Sequence, residues 1–275
     1  MVWEGLTKKE EEPKQLAIAP ATVPVKDDFQ FKEAQSISKE VYTIYGKKGV
    51  GKTTLALSFP GSVAALSFDR KTLMPVVNYF KESSGRLKVY DAVEFLERST
   101  EEKTGSSEKT YKYVLFLLEN LSKSNPDWIL IDGVEIVSKM AESVMRFRHG
   151  LSPYQGVANL NIWKERNDII AQIHRKALDA SKRGVIYTTY TQTEEIVQEG
   201  TVITRLEIPR YIDEVMWETD YVLHIEAVYD QKTKKTQFIL RIVSSKNDNK
   251  MKTGTVLDIT GMKNITQFFP GMEVR

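Results

Sequence analysis

The chain has 275 residues, 41% of them hydrophobic and 10% aromatic, enough apolar material for one large α/β domain or two small ones. Its 39 basic and 37 acidic side chains leave a net charge of +2, so bulk charge selects no partner and any nucleic-acid surface must be a local patch. Cysteine is absent, which excludes disulfides, thiolate catalysis and Cys-ligated metal, and His149, His174 and His224 stand too far apart in sequence for a structural zinc site.

No apolar run approaches the ~18–20 residues of a membrane span, and no signal-peptide core opens the chain. A cytoplasmic protein with no membrane partner is therefore expected. Residues 1–38 read as an extended or flexible arm: a charge run over 8–12 is followed by a small, proline-punctuated stretch over 16–25. A single α/β domain is expected over 39–275.

The first strand is expected at 41–45. Directly after it comes Gly46-Lys47-Lys48-Gly49-Val50-Gly51-Lys52-Thr53, a complete G-x-x-x-x-G-K-S/T phosphate-binding loop (the Walker A motif) that leads through Thr54 into a helix over 53–59. Backbone N–H groups of such a turn point inward and cradle anionic phosphates. Lys52 is positioned to reach the β- and γ-phosphates and the Thr53 hydroxyl to hold Mg²⁺, which makes ATP and Mg²⁺ the expected cofactors.

Alternation of strand and helix then predicts a mostly parallel sheet. Strands are expected at 62–68, ending next to Asp69, at 87–90 and at 128–132. Helices are expected at 73–81, from an Asp91 cap onward, and over 111–122, with a polar loop across 99–109. Four apolar residues ending in Asp132 fit the Walker B role, a carboxylate holding Mg²⁺ opposite Thr53. Helices over 134–148 and 158–181 flank a loop at 150–156, and a core strand follows at 185–190. Beyond it, strands at 201–208, 221–229 and 236–243 come without intervening helices, which predicts antiparallel extension at one edge.

The attacking water needs a base or positioning group. Three residues qualify: Asp69 at the second strand end, Glu135 one turn into the helix after Asp132, and Gln192 past the strand at 185–190. A GTPase is disfavoured because no N-K-x-D tetrad occurs, Ser245-Lys246-Asn247-Asp248 being a near miss. A transporter-type ATPase is disfavoured for want of an L-S-G-G-Q-like signature. A P-loop phosphotransferase is a further alternative, but its arginine-rich lid is not seen.

The phosphate loop, a second strand ending in an acid, Walker B, and a strand ending in Thr189-Tyr190-Thr191-Gln192 together resemble the RecA/RadA recombinase core. The match extends to the stretch from Phe238 to Asn247. More narrowly, GKKGVGKTTLALSFPG followed by Phe68-Asp69 is similar to the short RecA-like nucleotide-binding proteins of phages and archaeal viruses, some linked to single-strand annealing and recombination. The resemblance implies a RecA-like P-loop ATPase acting on single-stranded DNA inside a host cell, as a ring or filament. It implies that Lys246, with Arg241, completes a neighbour's nucleotide site in trans. It also implies DNA-facing loops at about 193–210 and around Arg146, Arg148, His149 and Tyr154, and a subunit-docking motif at Phe31-Lys32-Glu33-Ala34. The family's catalytic glutamate usually follows the second strand, where this chain has Asp69. That departure leaves open a nucleotide-dependent binding protein with weak hydrolysis.

Overall fold

The computed structural model describes residues 39–69, 71–96, 105–198, 201–210, 215 and 218–272. The arm expected over 1–38, with its Phe31-to-Ala34 motif, lies outside the described residues. The strands are β1 (Glu40–Tyr45), β2 (Val63–Ser67), β3 (Leu87–Asp91), β4 (Trp128–Asp132), β5 (Gly184–Thr189), β6 (Thr191–Gln198), β7 (Thr201–Pro209), β8 (Tyr221–Asp230), β9 (Lys235–Ser245) and β10 (Val256–Asp258). The helices are α1 (Lys52–Leu57), α2 (Leu73–Tyr79), α3 (Ser106–Ser124), α4 (Val134–Arg148) and α5 (Leu160–Ala180).

Eight strands form one sheet in the order β10-β9-β8-β1-β5-β4-β2-β3. From β8 to β3 every neighbouring pair is parallel, and β9 and β10 extend the β8 edge antiparallel. The mostly parallel sheet with an antiparallel C-terminal edge is thus as expected. Its central strands are buried on both faces, every residue of β4 and β5 being buried. Such strands need continuous apolar runs, which Trp128-Ile129-Leu130-Ile131 and Val185-Ile186-Tyr187 supply. Their polar residues, Asp132, Thr188 and Thr189, come at the carboxyl ends.

Helices α3, α4 and α5 cover one face. The α4 stripe Val137, Met140, Ala141 and Val144 follows helical spacing and joins Ile129, Ile131 and Val185 in one core. The other face packs Tyr42, Ile44, Leu130 and Ile186 against Leu55, Phe59 and the C-terminal Ile265, Phe269 and Met272. Trp128 anchors this second core. Its ring meets Phe59 and Tyr42 edge-on at 5.3 and 5.6 Å, and its indole N–H donates to the Pro60 carbonyl at 2.9 Å.

Several local expectations change. No helix starts at Asp91: β3 runs through it in register with Ser67, and its carboxylate accepts from Val93 N–H at 3.0 Å, making a turn instead. The polar segment at 99–109 is helical from Ser106, the first residue of α3 after the left-handed Gly105. The strand expected at 201–208 does not join the main sheet. As β7 it pairs antiparallel with β6 in a two-stranded hairpin of its own, so the stretch expected as a DNA-facing loop is a β-hairpin. The strand at 221–229 is not antiparallel to the core, because β8 runs parallel to β1.

Candidate functional site

Register does most of the assembly. Ser67 pairs with Asp132, Asp132 with Thr188, and Tyr45 with Thr189, so the carboxyl ends of four parallel strands finish on one line. A cleft opens there, the place where open parallel sheets bind ligands. Its volume is about 620 Å³, and its walls include Lys52, Thr53, Asp69, Asp132, Glu135, Thr188, Tyr190 and Arg210.

The phosphate loop turns between β1 and α1. Gly51 sits at φ 92°, a left-handed conformation that a side chain would strain. Gly46 is needed for space: a Cβ there would come within 2.2 Å of the Ile225 carbonyl oxygen on β8. Of the loop residues expected to hold nucleotide, Lys48, Gly49, Gly51, Lys52, Thr53 and Thr54 line the cleft. Gly46 lies against β8, Val50 is buried in the core, and Lys47 points away to pair with Glu207 at 2.7 Å. Lys52 Nζ donates to the carbonyls of Gly46 and Lys47 at 2.9 and 2.8 Å, and its ammonium lies 4.3 Å from the centre of the Tyr190 ring. Burial pushes its pKa below the ordinary lysine value, against the pull of Glu135, Asp132 and Asp69. Phosphate oxygens arriving here would take over the role of the two carbonyls.

Asp132 is buried, and three hydroxyls donate to it: Thr53 at 3.0 Å, Thr72 at 2.6 Å, and Thr188. Burial raises its pKa, while the hydroxyl donors from Thr188, Thr72 and Thr53 oppose that rise. No cluster of three or more His, Asp or Glu able to hold a metal occurs among the described residues. Mg²⁺ is commonly bound through one or two protein oxygens together with phosphates and waters. Thr53 would contact the ion and Asp132 would hold its water shell.

The two carboxylates expected near the attacking water both reach the cleft, but differently. Asp69 accepts from the Lys71 N–H at 2.8 Å, a local turn contact. Glu135, two residues past the left-handed Gly133, accepts on one oxygen from the Thr189 hydroxyl at 2.6 Å and from the Tyr190 N–H. Glu135 is thereby oriented by Thr189 and Tyr190 at the carboxyl end of β5, in the wall of the cleft. Gln192 is not among the residues lining the cleft; it sits exposed on β6, opposite Ile208.

The stem of the β6–β7 hairpin joins the same site. Arg210 N–H donates to Tyr190 O at 2.8 Å, and Thr189 Oγ1 lies 2.7 Å from Arg210 O. Farther out, Glu207 binds Lys47 of the phosphate loop, and Tyr45 donates to the Glu207 carbonyl at 3.3 Å.

The remaining candidates lie elsewhere. Lys246 is at the amino end of the parallel strands, the end away from the phosphate loop, and binds Asp220 at 2.9 Å; Asp220 in turn accepts from Val41 N–H at 2.8 Å. Arg241, on β9 between His224 of β8 and Val256 of β10, lies 3.9 Å from Glu226. Arg146 binds Glu142 and the carbonyls of Ser152 and Gln155. Arg148 spans Glu108 on α3 and Glu165 on α5, which also meets His149 at 2.7 Å. Tyr154 is 78% exposed.

Sequence reasoning did not find Thr72, Thr188, Tyr190, Lys139 and Arg210. Lys139 had a signal, since it lies four residues after Glu135 and so on the same helix face. Thr188 and Tyr190 follow only from knowing that β5 lies between β1 and β4.

No family model matches the chain, and no curated protein matches its sequence. Among solved structures, it is similar to a KaiC-like protein from the hyperthermophilic archaeon Pyrococcus horikoshii OT3. That likeness is at 12% identity, covers 79% of this chain and 84% of that one, and has a TM-score of 0.44.

Proposed function

We propose that the chain is a magnesium-dependent ATPase whose nucleotide lies across the phosphate loop. The observation that carries this is the meeting of Lys52, Thr53 and Asp132 in one cleft at the carboxyl ends of the parallel strands. A second cavity, about 410 Å³, shares Gly49, Gly51 and Thr54 with that cleft and is lined by Tyr79, Phe80, Phe238, Ile259 and Met262. Its aromatic and apolar walls suit a stacked base, with the triphosphate reaching over the loop into the cleft.

Lys52 binds the phosphates, and Mg²⁺, when bound by Thr53 and Asp132, neutralises charge on them. Glu135 is the better water-positioning group, because donors from Thr189 and Tyr190 fix its orientation and it is the carboxylate acting most strongly on Lys52. A nucleotide-dependent binder with weak hydrolysis is the second reading. It is favoured by Asp69, whose carboxylate is engaged in its own turn.

Single-stranded DNA, and further copies of the chain in a ring or filament, are the partners the RecA-like resemblance implies, with recombination or annealing as the setting. Arg146, Arg148 and His149 are committed within the chain, and residues 193–210 carry four glutamates against two arginines. DNA at those two stretches would have to compete with internal ion pairs or meet an acidic excess.

The test is nucleotide binding by the purified chain with and without Mg²⁺, then phosphate release with and without single-stranded DNA at low salt. Expected are ATP binding and Mg²⁺-dependent release. Absence of ATP binding overturns the reading, and binding without release selects the second one. No DNA association at low salt, with or without ATP, removes the DNA part, since phosphate contacts are strongest there.

A further inference from the structure

We propose that Arg210 is a catalytic residue acting in cis, its guanidinium neutralising charge on the γ-phosphoryl group held by its own chain's phosphate loop. This rests on the nucleotide reading above and names the cation that completes it. Arg210 lines the cleft together with Lys52, Thr53, Asp132 and Glu135. Its backbone is fixed beside the reacting groups: its N–H donates to Tyr190 O at 2.8 Å, and its carbonyl lies 2.7 Å from the Thr189 hydroxyl, which also reaches Glu135. The preceding Pro209 is buried and in register with Thr191, so the hairpin stem sets where Arg210 enters the cleft.

No carboxylate among the described residues pairs with Arg210, whereas Arg146, Arg148, Arg205 and Arg241 have one. Arg86, Arg166, Arg175 and Arg183 share that lack, but none of them lines the cleft. The alternative cation, Lys246, is at the opposite end of the strands and paired with Asp220. A guanidinium presents a planar fork of donors that matches phosphoryl oxygens two at a time, and it stays charged in any surroundings.

In the step itself, a water oxygen forms a bond to Pγ as the bond from Pγ to the bridging oxygen breaks. The bond's electron pair stays on the β-phosphate of ADP, and the water proton passes to the Glu135 carboxylate and then to solvent. In that transition state charge is spread over the three equatorial oxygens of the transferring group and builds on the bridging oxygen as it leaves, and Arg210 meets it there.

The test compares full-length wild type, Arg210→Ala and Arg210→Lys for nucleotide affinity, single-turnover hydrolysis and trapping of ADP with aluminium fluoride, a mimic of the transferring phosphoryl group. Arg210→Ala is expected to bind ATP and ADP within about threefold of wild type, hydrolyse about 10³-fold more slowly and lose trapping. Arg210→Lys is expected to recover part of both. Unchanged turnover overturns the assignment. So does an equal loss of ADP affinity, ATP affinity and trapping, the pattern of a mere structural prop.

Mixing distinguishes cis from trans action. Lys52→Ala chains keep Arg210 but lack a working site of their own. If added to Arg210→Ala chains they restore no turnover, the cis role stands; recovery places the arginine across an interface and overturns it. Failure of wild type to bind ATP is a separate outcome, which removes the nucleotide reading and this inference together.

Discussion

Two regions of the molecule draw on the same side chains and dispose of them in opposite ways. At the end of α4, Arg146, Arg148 and His149 are each matched by a carboxylate, and Arg148 ties three helices together. In the cleft, Lys52 and Arg210 share the walls with Asp69, Asp132 and Glu135, yet no ion pair joins them among the described residues. Lys52 turns instead to carbonyls and a ring, Asp132 to hydroxyls, and Glu135 to a hydroxyl and a backbone N–H. Paired charges hold a structure and are finished. Charges kept apart by neutral donors and acceptors stay available to a ligand, which is what a phosphate- and metal-binding site requires.

Substitutions can break this contrast, and the largest effect belongs to the cleft. Lys52→Ala should bring Mg²⁺-dependent phosphate release to background while leaving the urea midpoint of unfolding near wild type; retained turnover would show that the loop does not hold the nucleotide. Next, Thr188→Val removes one of the hydroxyls that orient Asp132. The Mg²⁺ concentration for half-maximal turnover should rise about tenfold, in line with other residues that position a metal's ligands. An unchanged Mg²⁺ profile would mean that Asp132 is not the metal carboxylate.

The α4 end should answer in stability instead. Arg148→Ala is expected to cost about 1 kcal/mol, a modest figure because the network is partly open to solvent, with turnover unaltered. Denaturant titration reads the first and phosphate release the second; a loss of turnover would join the two regions functionally. The smallest effect is in its pH dependence. Hydrogen bonding from Arg148 holds the Glu108 carboxyl below its ordinary value. A depressed folded-state pKa contributes stability that is full above the unfolded value, about 4.3, and lost as pH falls through the folded one. The decline in urea midpoint between neutral pH and the acid range should therefore be shallower in Arg148→Ala, and equal slopes would deny the pair any role.

What could be read without coordinates follows the same division. The phosphate loop and Asp132 were legible because their chemistry is written in consecutive residues next to a strand. The sheet was legible because buried parallel strands require unbroken apolar runs. Thr188, Tyr190 and Arg210 were not, because threonine, tyrosine and arginine are common, and only the insertion of β5 between β1 and β4 brings them to the cleft. The partners of Arg148 were hidden for a related reason. A basic helix end looks free in sequence, and its partners Glu108 and Glu165 lie on two other helices. Composition shows a charge; only topology shows whether it is already matched.

The hydroxyl of Thr189 has a consequence of its own. It carries one proton and stands within reach of two acceptors, the Glu135 carboxylate at 2.6 Å and the Arg210 carbonyl at 2.7 Å. It can serve only one at a time. When it turns to Glu135, the hairpin stem gives up a tether; when it turns to the stem, Glu135 gives up one of its two donors and swings more freely. A single bond rotation thus trades the anchoring of the hairpin against the anchoring of the carboxylate.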